Sequence, residues 1–183
     1  MPMTTANKLT IARVILIPVF LIVLYWGFAG SRYVALGVFI LASLTDLADG
    51  YIARHYHQIT NIGKFMDPLA DKMLTTAALL AFMTADVCNI WIPMVVLTRE
   101  FLVTSFRLVA TSQGVIIPAG ILGKLKTATQ MIFSIGIMAG LHFHSPAAES
   151  FGNFALCSNI LLGITAVLAV ISGVKYIVDG VKV

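Results

Sequence analysis

The sequence predicts an all-α integral membrane protein: six transmembrane helices with both termini in the cytoplasm. Three observations predict it. Of the 183 residues, 59% are hydrophobic and 11% charged, with a mean hydropathy of +0.95, whereas about a quarter of a soluble domain is charged. Six hydrophobic segments follow one another, at roughly 12–30, 33–55, 65–85, 90–112, 125–143 and 154–177. Each approaches the roughly 20 residues that carry a helix across a bilayer. With the N-terminus inside, Lys8, Arg13, Arg54, Lys64, Lys72, Arg107, Lys124, Lys126, Lys175 and Lys182 all fall near the inner face, and Arg32 alone lies outside. That is a strong positive-inside bias.

Taken in order, the first segment follows Lys8 and Arg13 and has the flanks of a signal peptide. It ends in WGFAGS, where Phe28 occupies a position that cleavage wants small, so the segment stays as a helix. The second closes on Asp46, Asp49 and Arg54, and the third opens on Asp67 and Asp71. The fourth carries Arg99, Glu100 and Arg107. Arg99 and Glu100, being adjacent, point about 100° apart, so each is expected to find its own partner on another helix. The fifth begins beside Lys124 and Lys126 and holds Gly136-x3-Gly140, a spacing that permits close helix packing. The sixth contains the uncharged run Phe151–Val174, without the polar face a soluble core helix shows. Cys88 and Cys157 fall near outer segment ends; a disulfide is possible there, but two buried apolar thiols are the simpler reading. Loops are short and no repeat or linker interrupts the chain, so residues 1–183 read as one transmembrane domain. The net charge of +4 faces anionic headgroups of the inner leaflet. So apolar a chain makes nucleic acid a poor partner.

Half of the eight acidic residues lie between positions 46 and 71. Asp46, Asp49, Gly50, Ala53 and Arg54 share one helix face, and Gly63, Asp67 and Asp71 share another. Small residues on both faces let the helices approach. Four carboxylates would then converge near the cytoplasmic face, at a cost of about 2.5–3.5 kcal/mol each if uncompensated at membrane depth. They need protons or cations, and an all-oxygen set suits hard ions such as Mg²⁺ or Mn²⁺. Two such ions bridged by shared oxygens are the arrangement used for displacement at phosphorus. Asp67 before Pro68 also fits a helix N-cap followed by proline at N1. Asp46 or Asp49 alone could pair with Arg54 or Lys72. Neither explains Asp71 one turn further in, together with two acids on the facing helix.

The pattern Asp46-x2-Asp49-Gly50-x2-Ala53-Arg54-x8-Gly63-x3-Asp67-x3-Asp71 resembles, without gap or substitution, the signature of the CDP-alcohol phosphatidyltransferases. The resemblance implies six transmembrane helices, a homodimer, and a site for two divalent cations facing the cytoplasm from the cell membrane. It implies that Asp46, Asp49, Asp67 and Asp71 bind metal, that Asp71 also acts as base, and that Gly50 and Arg54 contact the CDP group. The stretch NKLTIARVILIP adds Asn7 and Thr10 on that side. It and the stretch from Arg99-Glu100 through Arg107 to Gly123-Lys124-x-Lys126-Thr127 resemble family members whose acceptor is glycerol 3-phosphate. The reaction implied is transfer of a phosphatidyl group from CDP-diacylglycerol to that acceptor.

Charge agrees with such an acceptor. A dianionic phosphate must be held beside an anionic pyrophosphate, and Arg107, Lys124 and Lys126, with the Thr127 hydroxyl, could clamp it. The alternative for these cations is headgroup anchoring. Serine, inositol phosphate and phosphatidylglycerol are the rival acceptors. A divalent-cation transporter would string acids through the bilayer, whereas here only Asp86 and Glu149 lie outside.

Overall fold

The structure is a computed structural model that describes residues 5–55, 61–113, 120–143 and 150–181; for 5–8, 46–55, 61–69, 71, 142 and 181 the description covers the backbone only. Six α-helices account for the regular structure of the described residues: α1 (Thr5–Tyr25), α2 (Ser31–His55), α3 (Asn61–Thr84), α4 (Trp91–Ser112), α5 (Ile121–Phe143) and α6 (Phe151–Val181). All six expected segments are helical. Their ends differ where hydropathy is silent. α1 starts at Thr5, because its first turns are polar, and stops at Tyr25, ahead of Gly27 and Gly30. Both glycines have positive φ, 76° and 90°, the left-handed region that side chains resist. α3 starts at Asn61, which makes Asp67 its seventh residue. The N-cap reading of Asp67 is therefore wrong, since a cap flanks a helix rather than standing two turns inside it.

The chain divides into two compact units, Met1–Ala81 with Ile135–Ser145, and Phe82–Ser134 with Pro146–Val183. In the first, α1 and α2 form an antiparallel hairpin. Thr10, Arg13, Ile17 and Phe20 make the buried stripe of α1, and Ala35, Phe39, Ala42 and Ser43 that of α2. Both stripes follow helical period. The Phe20 and Phe39 rings meet at 5.6 Å and 54°. Arg32 Nη1 donates to the carbonyl of Leu141 in the last turn of α5, one of the acceptors a helix end leaves unused.

In the second unit, α3 ends in a Schellman turn. Val87 N–H donates to Phe82 O (3.1 Å) and Asp86 N–H to Met83 O (3.2 Å), with Asp86 in the left-handed position at φ 57°. Phe82 and Val87 are buried, the apolar contact that accompanies this motif. The following loop is tied to α6: Asn89 N–H donates to Asn159 Oδ1 (2.6 Å). Further on, Arg99 meets Ala169 and Ser172, and Arg107 meets Tyr176. Partner numbers rise together, so α4 and α6 run parallel.

Large apolar side chains are exposed, and several polar ones are buried beside the apolar core. Trp26, Trp91, Leu108, Ile121 and Phe143 are exposed, while Thr10, Arg13, Ser43, Lys126, Gln130, Ser134, Thr165 and Ser172 are buried. Exposed apolar surface on this scale marks contact with something other than water. Among the described residues, one helix, Phe151–Gly180, is long and apolar enough by itself to cross a membrane, with a mean hydropathy of 2.4. The apolar runs Leu9–Tyr25, Ser31–Thr45 and Lys72–Thr84 are shorter.

Candidate active site

The acidic positions lie on unbroken helix, Asp46, Asp49, Gly50 and Arg54 in α2, and Asp67 and Asp71 in α3. That backbone supplies the face-sharing the spacing requires. Their side chains, like that of Asn7, lie outside the described residues. Thr10, expected on the CDP side, is buried on the same stripe as Arg13.

The basic cluster is described in detail. Lys126, on the first turns of α5, is 3% exposed, and its Nζ lies 2.7 Å from Glu100 Oε1. A buried ammonium needs such a partner, because desolvation penalises its charge. The same Glu100 oxygen accepts from Arg99 Nη1 at 3.0 Å. Arg99 is anchored on α6 through Nε to Ala169 O (3.2 Å) and Nη2 to Ser172 Oγ (2.9 Å). Its stem crosses Gly173, where a Cβ would stand 2.8 Å from Arg99 Cγ, and a Cβ on Gly123 would stand 3.7 Å from Nη2. One glycine thus admits the arginine between α4 and α6.

Arg99 and Glu100 do bind each other, contrary to the expectation from their adjacency, because the long guanidinium stem reaches round to the carboxylate. Each also has the separate partner expected of it. Two cations share one carboxylate, so Arg99, Glu100 and Lys126 together carry one net positive charge.

The remaining basic candidates stand apart from this triad. Arg107 Nε donates to Tyr176 Oη at 3.2 Å, with its guanidinium 5.5 Å from the ring centroid. Phe106 packs edge-on to the same ring at 6.3 Å. Lys124 is exposed. Thr127 Oγ1 donates back to Gly123 O at 3.2 Å, within α5. Hydropathy gave no sign of two further features: Arg13 is buried rather than at the surface, and Gln130 is buried one turn beyond Lys126. The second was available from its i,i+4 spacing to Lys126. Gly136 also departs from expectation; it is exposed, with open space where a Cβ would sit. The close approach is at Gly173 instead.

Comparison with known proteins places the chain. The family model for CDP-alcohol phosphatidyltransferase matches residues 3–173. The chain belongs to the CDP-alcohol phosphatidyltransferase family. It is thus a transferase of a membrane enzyme family that uses divalent metal ions. A Bacillus subtilis relative, a CDP-diacylglycerol–glycerol-3-phosphate 3-phosphatidyltransferase, is 43% identical over 69% of this chain and 72% of its own. A Mycobacterium tuberculosis relative, a probable phosphatidylglycerophosphate synthase, is 36% identical over 97% of this chain and 81% of its own. A Rickettsia typhi relative with the same name as the first is 35% identical over 93% of each chain. All three matches extend well beyond the acidic signature of the family.

Proposed function

We propose that the chain transfers a phosphatidyl group from CDP-diacylglycerol to sn-glycerol 3-phosphate, giving phosphatidylglycerolphosphate and CMP. What carries this reading within the family is the activity named for relatives that match most of the chain. The buried cationic triad supports it, because a dianionic acceptor needs fixed positive charge and serine does not.

Asp46, Asp49, Asp67 and Asp71 would hold two divalent cations, Mg²⁺ or Mn²⁺; their all-carboxylate donor set fits hard ions. When bound, such ions neutralise the pyrophosphate and the charge that develops on the transferring phosphoryl oxygens. Gly50, Arg54, Asn7 and Thr10 bind the CDP group. Arg107, Lys124, Lys126 and Thr127 bind the acceptor's phosphate. Asp71 takes the proton of the acceptor's terminal hydroxyl. The hydroxyl oxygen bonds to the lipid-bearing phosphorus, the bond from that phosphorus to the CMP oxygen breaks, and CMP leaves with the electron pair. The protein crosses the membrane six times as a homodimer, with both termini and the site on the cytoplasmic side.

The test supplies purified protein with CDP-diacylglycerol and Mg²⁺ and measures CMP release with each acceptor in turn. Glycerol 3-phosphate should support turnover where serine, inositol phosphate and phosphatidylglycerol do not. Excess EDTA should abolish activity, and Mg²⁺ or Mn²⁺ should restore it. Faster turnover with another acceptor would overturn the assignment, and full turnover in EDTA the role given to the aspartates.

A further inference from the structure

Gln130 is 1% exposed, yet neither its Nε2 nor its Oε1 has a hydrogen-bond partner among the described residues. Buried amides without partners are rare because each lost hydrogen bond costs free energy. Gln130 stands four residues after Lys126 on α5. Residues so spaced lie on one helix face, about 6 Å apart along the axis. Among the described residues, the Lys126 ammonium has one partner, Glu100, and an ammonium carries three donors. One stripe of α5 therefore presents a cation with donors to spare, and one turn away an amide with both functions unused.

We infer that Gln130 is a specificity-determining residue that receives the middle hydroxyl of the acceptor while Lys126 holds its phosphate. This rests on reading Lys126 as a ligand of the acceptor's phosphate. An amide offers a donor and an acceptor, and a secondary hydroxyl needs one of each. An ammonium at that carbon, as in serine, donates but cannot accept, so the Nε2 donors would stay unmet. The amide thus reads the part of the acceptor that does not react, a feature that charge alone does not distinguish.

The experiment compares glycerol 3-phosphate with 3-hydroxypropyl phosphate, which keeps the phosphate and the attacking terminal hydroxyl but lacks the middle one. CMP release is followed with CDP-diacylglycerol and Mg²⁺ for the parent, Gln130→Leu and Lys126→Gln. The parent should favour glycerol 3-phosphate by roughly tenfold in kcat/KM, the scale of one buried hydrogen bond. Gln130→Leu should lose about that factor on glycerol 3-phosphate and nothing on the analogue, with KM for CDP-diacylglycerol unmoved. Its melting temperature should not fall, because no hydrogen bond among the described residues is broken. If Gln130→Leu does not accumulate, Gln130→Met, unbranched and of similar length, replaces it. Equal losses on both acceptors, or no loss on either, would overturn the inference. Lys126→Gln separates the two layers. If it raises KM for both acceptors while the Gln130 variant fails to discriminate, the phosphate reading survives without the hydroxyl one. If it changes neither acceptor's KM, both readings fall.

Discussion

Cys88 and Cys157 differ in burial, which governs access to a thiol. Cys88 is buried in the turn between α3 and α4, and burial pushes its thiol up to about 11; Cys157 is exposed. The thiolate is the reactive form, so raising the pKa starves Cys88 of it at neutral pH. N-ethylmaleimide should therefore modify Cys157 first in detergent-solubilised protein. In a Cys157→Ser variant, the remaining labelling rate should climb about tenfold per pH unit from pH 7 to 10. A plateau near the ordinary thiol range would contradict the burial of Cys88. The sequence suggested two buried thiols, which holds for Cys88 and fails for Cys157. Position 157 lies off the buried stripe of Ser158, Leu162, Thr165 and Ala169, and in a uniformly apolar helix no contrast reveals which face is covered. Arg13 and Lys126 teach the same lesson from the opposite side. Counting charges by chain position places both at the inner face, yet packing, which that count ignores, buries them.

Helix packing turns on one glycine that no motif flags. A methyl group at Gly173 would stand 2.8 Å from Arg99 Cγ, near the root of that side chain, where it cannot swing clear. Gly173→Ala should lower stability by about 1–3 kcal/mol, as overpacking does. Gly136→Ala meets open space and should be neutral or gain up to about 1 kcal/mol in helix propensity. Thermal melts of both variants in detergent check the contrast, and equal melting temperatures would refute it. The sequence made the wrong glycine conspicuous, because Gly-x3-Gly reports a face but not what covers it. The six helices themselves were legible, since hydropathy over some 20 residues outweighs local noise. Their ends were not. The polar first turns of α1 and α3 are helix that no apolar run announces, and the turn after α3 puts Asp86 where glycine is the usual occupant. The acidic signature was legible in full as a pattern. The triad of Arg99, Glu100 and Lys126 was visible only as separate charges, because contact between helices is not encoded in spacing along one.

The many large apolar side chains exposed in both units are what a lipid solvent favours, and they agree with the six crossings proposed. The parallel course of α4 and α6 also agrees, since helices two crossings apart point the same way. Both termini should then be cytoplasmic. A cysteine added after Val183, in a background lacking Cys88 and Cys157, should resist an impermeant maleimide applied to intact cells and react once the membrane is opened. Efficient labelling from outside would reverse the orientation. Arg99 carries a consequence for how the chain matures in the membrane. Its α6 anchors, Ala169 and Ser172, are synthesised after α4, so in the topology proposed above α4 would enter the bilayer before two of its arginine's three hydrogen-bond acceptors exist. Until α6 arrives, Glu100 must serve that guanidinium without their help, within a hydrocarbon layer that penalises unshared polar groups. Docking of α6 is thus the step at which this guanidinium gains its remaining acceptors. A chain that stops short of α6 lacks two of the acceptors this guanidinium uses, so truncation ahead of Ala169 leaves the cation imperfectly masked.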